Sequence, residues 1–148
     1  IVSLEGSFIN SGLIGLAGFL YVYFVGGDFN GPILGGLLTI MGFGAFGTHL
    51  KNSWPIVLGV ILSTLTFGKG LASPGPLLAV LFGTTLAPIA GQFGIFAGIA
   101  AGFIHLFMVL QTGTWQGGMN LYNNGFAGGL TAALIVAVLQ WRNTNKKD

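Results

Sequence analysis

Asn120-Leu121-Tyr122-Asn123-Asn124-Gly125-Phe126-Ala127-Gly128 stands at the mouth of the last apolar run of the chain, Phe126 to Trp141. A carboxamide taken out of water without a hydrogen-bond partner costs several kcal/mol on the harsher transfer scales, roughly 4–8. Lipid has no water to satisfy it. Asparagines kept beside a membrane-length run therefore point to a capped broken helix, a wet path, or both. The same pattern occurs near the other end: Phe8-Ile9-Asn10-Ser11-Gly12-Leu13-Ile14-Gly15 aligns with Leu121-Tyr122-Asn123-Asn124-Gly125-Phe126-Ala127-Gly128. We expect the two copies to form facing elements of a membrane pathway.

Composition sets the class. Of 148 residues, 53% are hydrophobic and 5% are charged, and mean hydropathy is +0.84. A soluble domain carries about 25% charged residues. Five basic and three acidic side chains cannot cover a water-facing surface, so the chain reads as an integral membrane protein. Its 27 glycines suit close approach of helix backbones in lipid. The absence of cysteine excludes a disulfide framework, a thiolate metal site and a cysteine nucleophile. The basic tail Arg142 to Asp148 reads as a solvated membrane anchor, and no nucleic-acid partner is expected.

A bilayer core takes about 20 mainly apolar residues per helix. The first span runs from Phe8 to Val25 and ends in the turn cluster Gly26-Gly27-Asp28-Phe29-Asn30-Gly31. The second runs from Pro32 to Gly47. Ser53-Trp54-Pro55 reads as a cap, an interfacial aromatic and a first-turn proline opening the third span, which reaches Phe67. Gly68 to Pro76 is a break. The fourth span, Leu77 to Leu86, is interrupted by Ala87-Pro88-Ile89-Ala90-Gly91. The fifth runs from Phe93 to Leu110, a polar loop follows, and the sixth ends at Trp141. Short or Pro/Gly-broken segments point to transporter sites, or to a kinked helix whose backbone is covered by neighbours.

With six spans and the tail inside, Lys51, Arg142, Lys146 and Lys147 fall on the inner side and Lys69 outside, which predicts a cytoplasmic C-terminus. The asparagine copies lie five crossings apart and so run in opposite directions, as an inverted repeat requires. A second repeat matches Phe46-Gly47-Thr48-His49-Leu50 with Phe82-Gly83-Thr84-Thr85-Leu86.

The segments Asn120 to Leu130 and Gly83-Thr84-Thr85-Leu86-Ala87-Pro88-Ile89-Ala90-Gly91 resemble an uncharacterised family of bacterial multi-pass membrane proteins, a domain of unknown function whose members are longer than this chain. The resemblance implies that residues 1–148 are a single transmembrane domain, the C-terminal portion of a longer two-half protein in a bacterial plasma membrane. More distantly, Phe8-Ile9-Asn10-Ser11-Gly12-Leu13-Ile14-Gly15-Leu16-Ala17 is similar to the aromatic-Asn-Gly-x-Leu-x-Gly segment in each half of urea transporters. It departs from that segment at Ser11, and the second copy departs at Asn124. That similarity implies a pathway for a small neutral solute.

No predicted span carries Asp, Glu, Lys or Arg at its middle, which speaks against a carboxylate-driven pump and for passive passage. His105 is the one titratable residue well inside a span. It reads as a solute or proton contact, or as a neutral ring bonded to a helix neighbour. His49 reads as interfacial. Gly94, Gly98 and Gly102, at i, i+4 and i+8, read as a helix-packing stripe. Thr84 and Thr85 bond back to their own helix or face a pore.

The expectation is an all-α polytopic membrane protein of about six spans, some broken or re-entrant, with inverted-repeat character. It would be a passive channel or facilitator for a small polar, uncharged solute. Asn10, Asn123 and Asn124 would replace part of the solute's hydration shell, Phe8 and Tyr122 would limit width, and Thr84, Thr85 and His105 would add polar contacts. No catalytic residue, metal or cofactor is expected. The partners expected are the bilayer, the solute, the rest of a longer chain and, where it self-associates, a second copy. The alternatives are a non-transporting membrane scaffold, or an ion-coupled transporter whose coupling residues lie elsewhere in that longer protein.

Overall fold

A computed structural model describes residues 3–117 and 120–145, without the side chains of Gln116, Asn120, Leu121, Tyr122 and Asn143. The described residues are almost entirely helical: α1 (Leu4–Phe24), α2 (Gly31–Ala45), α3 (Leu50–Thr66), α4 (Pro74–Gly83), a 3-10 turn (Thr84–Leu86), α5 (Ala87–Phe93), α6 (Ile95–Thr112), a second 3-10 turn (Gly113–Gln116) and α7 (Asn120–Thr144).

Local chemistry sets the boundaries. The Ser3 hydroxyl accepts from Gly6 N–H, and Asn30 Oδ1 accepts from Ile33 N–H, with Pro32 in the first turn of α2. The third helix begins earlier than Ser53-Trp54-Pro55 suggests. His49 caps it: its Nδ1 accepts from Asn52 N–H while Asn52 Oδ1 accepts from His49 N–H. Pro55 therefore lies inside α3. At Gly94 (φ 91°) the backbone takes a conformation that L side chains rarely adopt, and there α5 gives way to α6.

The fourth helix is kept in line rather than reversed. Pro88 has no N–H to give the Thr84 carbonyl, and Ala87 N–H serves it instead at the shorter spacing. The break is thus a 3-10 turn inside a 20-residue rod, Pro74–Phe93. That rod is the core of the bundle: 67% of its residues are buried, against 22% for Leu4–Phe24 and 28% for Asn123–Arg142.

Several rods that follow one another pack antiparallel. Asn10 of α1 reaches Gly44 near the end of α2. Gly83 packs on Val60 of α3 and His105 of α6. Asn123 of α7 reaches Val109 near the end of α6. α3 and α6 run parallel, with Pro55 beside Gly98 and Phe67 against Phe103 and Phe107. They touch backbone to backbone: a Cβ on Gly59 would strike the Ile99 carbonyl, and one on Gly102 the Ile56 carbonyl. This alternation puts Asn10, Lys51 and Arg142 at one end of the bundle and Asn123 and Lys69 at the other.

Among the described residues, four segments are long and apolar enough to cross a membrane: Leu4–Phe24, Pro74–Phe93, Ile95–Trp115 and Asn123–Arg142. Against the expected six, α2 is apolar but has only 15 residues, and α3 has 17.

Candidate functional site

The two asparagine motifs do related local work. Asn10 Nδ2 donates to the Gly44 carbonyl at 2.6 Å and the Thr48 carbonyl at 2.7 Å, and Ser11 Oγ donates to the Met41 carbonyl at 2.7 Å. Asn123 Nδ2 donates to the Val109 carbonyl at 2.7 Å. The Thr112 hydroxyl lies 2.6 Å from Asn123 Oδ1 and 2.7 Å from the Met108 carbonyl, and serves one of the two at a time. The last carbonyls of a helix have no partner within it. Each asparagine adds a donor there from the first two turns of the helix packed alongside, although the Gly44 carbonyl also accepts from Gly47 N–H. Asn10 and Asn123 lie at opposite ends of the bundle, each with its own neighbour, and do not face each other.

Several other candidates are also separated. Phe8 is 71% exposed on the flank of α1, and the Tyr122 side chain lies outside the described residues, so no aromatic constriction between them is in view. Gly98 and Gly102 sit in close contacts with Ala90, Pro55 and Ile56. Gly94 does not join them: a Cβ there would meet nothing within 4 Å, and its place is the turn before α6. The Phe-Gly-Thr repeat takes two conformations. Gly47 has φ 117° in a loop, while Gly83 has φ −56° in a helix.

Three candidates do converge, around His105. Its imidazole is fully buried in the eleventh position of α6, about 15 Å along the axis from the start of that helix. Two glycines stand beside it, Gly83 tightly and Gly128 at ordinary distance. The Cβ position of Gly83 lies 3.3 Å from His105 Cδ2, and that of Gly128 lies 3.8 Å from Cε1 and 3.9 Å from Nδ1. The Thr85 hydroxyl borders the same space, 4.0 Å from the Gly128 Cβ position. The Asn124 side chain, one turn before Gly128, approaches the ring. Neither ring nitrogen makes a hydrogen bond of acceptable geometry among the described residues. Thr84 and Thr85 donate to the Leu81 and Phe82 carbonyls, each at 2.7 Å, leaving oxygen lone pairs as acceptors.

Over residues 1–141 the chain matches the family profile described as "Protein of unknown function (DUF1576)". It belongs to the DUF1576 family. No curated protein and no solved structure matches it.

In this DUF1576 chain the sequence left Gly83, Gly128 and Thr112 unassigned. Gly128 belongs to the asparagine repeat, but spacing does not say what stands opposite it. Thr112 falls in what reads as a polar loop, and it closes α6 instead.

Proposed function

We propose that the chain forms a membrane pathway for a small polar, uncharged solute, with His105, Asn124 and Thr85 as its polar centre. The observation that carries this is a fully buried imidazole that the Asn124 side chain approaches, with neither nitrogen in a hydrogen bond of good geometry among the described residues, beside the 3-10 turn of the most buried rod. An unpartnered buried polar group costs about 1–3 kcal/mol. A neutral imidazole offers one donor and one acceptor. Both suit a guest that carries both functions, and a solute without charge needs no counter-charge in the spans. The similarity of the Asn10 segment to urea transporters favours the same solute class. On this reading Asn10 and Asn123 hold the frame rather than touch the solute. α2 and α3 cross the bilayer as short rods, six in all. The membrane is the bacterial plasma membrane, and the end bearing Lys51 and Arg142 is cytoplasmic.

Solute-induced swelling of proteoliposomes tests the proposal, with a panel of small neutral solutes and empty liposomes as control. Selective swelling that is lost in His105→Leu is expected. No swelling for any solute, from protein shown to be folded and inserted, would contradict it and favour a scaffold role.

A further inference from the structure

A cavity of about 220 Å³ lies between α1, α2, α3 and α4, with walls that are almost entirely carbon. Leu50, Ser53 and Trp54 line it at the Lys51 end of the bundle, and Ala17 and Tyr21 line it along α1. The Tyr21 hydroxyl is buried and has no hydrogen-bond partner among the described residues. Thr84 also lines it, deep in the bundle. The next residue, Thr85, borders the space around His105 and Gly128. Successive residues of a 3-10 turn point about 120° apart, at three residues per turn. A single turn of backbone, Thr84–Leu86, therefore has the cavity on one side and the imidazole on the other.

We infer that this cavity is the vestibule of the pathway and that the Thr84–Leu86 turn is the barrier between it and His105. The inference rests on the function proposed above. The vestibule is lined from Leu50 and Trp54 at the Lys51 end to Tyr21 and Val80 further along, and Thr84 forms part of its wall. Beyond the barrier, His105 and then Asn124 offer polar groups toward the opposite end of the bundle, beside the frame bonds of Asn123 and Thr112. The barrier lies where the helical ladder is already interrupted. Pro88 has forced the Thr84 carbonyl onto Ala87 N–H, and a stretch of 3-10 helix inside a longer helix often marks a hinge. An apolar vestibule leading to a polar centre strips water from the solute before the imidazole offers its donor and acceptor. That favours compact neutral molecules over ions.

The chain has no cysteine, so single substitutions report on a blank background. The probe is aminoethyl methanethiosulfonate, applied to the protein in sealed vesicles from one face at a time. Only a thiolate reacts, and a thiolate needs water. Ala17→Cys is expected to react from the face bearing Lys51 and Arg142, at least an order of magnitude faster than Leu38→Cys on the exposed flank of α2. Gly128→Cys is expected to react from the opposite face only. Val57→Cys replaces Ala17→Cys should the latter not fold. Equal rates at Ala17→Cys and Leu38→Cys, or reaction of Ala17→Cys from the far face, would remove the vestibule. Gly128→Cys reacting equally from both faces would remove the barrier. The expected pattern in vesicles that pass no solute would sink the transport proposal and leave the vestibule and its barrier standing.

Discussion

Asn10 and Asn123 each lie in the first two turns of a helix; Asn10 donates to the Gly44 carbonyl near the end of α2 and the Thr48 carbonyl in the loop after it, and Asn123 to the Val109 carbonyl near the end of α6. Five residues on, each motif sets a glycine against that neighbour. At the first, the Gly15 Cβ position is 2.6 Å from Met41 Cγ, so the thioether fills the space the glycine leaves. At the second, the Gly128 Cβ position is 3.8 Å from the nearest atom of His105, so a methyl would fit there in ordinary contact. One motif closes on a flexible apolar side chain. The other faces a buried ring whose nitrogens make no hydrogen bond of good geometry among the described residues. The shared hydrogen bonds are thus a way of holding two antiparallel helices together, and the residue opposite the glycine decides whether the joint is only structural.

The comparison can be broken first at the asparagines. Asn123→Leu strands the fully buried end of α6, and we expect a loss of about 1–3 kcal/mol in thermal unfolding in detergent. Asn10→Leu removes donors from part-buried carbonyls, of which Gly44 keeps a backbone donor in Gly47 N–H, and about 1 kcal/mol is expected. Equal losses would mean that the two ends are not differently packed.

The glycines sharpen it. Gly15→Ala forces Met41 to move, an overpacking cost of about 1 kcal/mol. Gly128→Ala makes only ordinary contacts, and alanine favours the helix, so a change within about 0.5 kcal/mol is expected. A larger loss at Gly128 than at Gly15, by the same unfolding measurement, would contradict the ordinary contact beside His105.

Much of this was legible in the sequence. Apolar runs, glycine clusters and prolines mark helices and breaks because those residues act on their own backbone, as Pro32 and Pro88 do. Pro55 shows the limit: the reciprocal His49–Asn52 cap decides where α3 starts, and proline is tolerated inside it. The asparagine motif was visible as a repeat, yet its partners, Gly44, Thr48, Val109 and Thr112, lie on the neighbouring helix. Without the packing register, a capped carbonyl cannot be told from a solute contact. His105 stood out by chemistry alone, whereas the glycines that flank it, Gly83 and Gly128, come from two other helices.

The most direct measurement is to make the second joint resemble the first. His105→Met, followed in parallel by thermal unfolding and by solute-induced swelling, separates the two roles the ring could have. We predict unchanged or higher stability, because a buried polar ring without a hydrogen bond of good geometry gives way to an apolar side chain, together with loss of solute flux. Marked destabilisation with flux retained in the surviving folded protein would make His105 a structural residue and contradict the account.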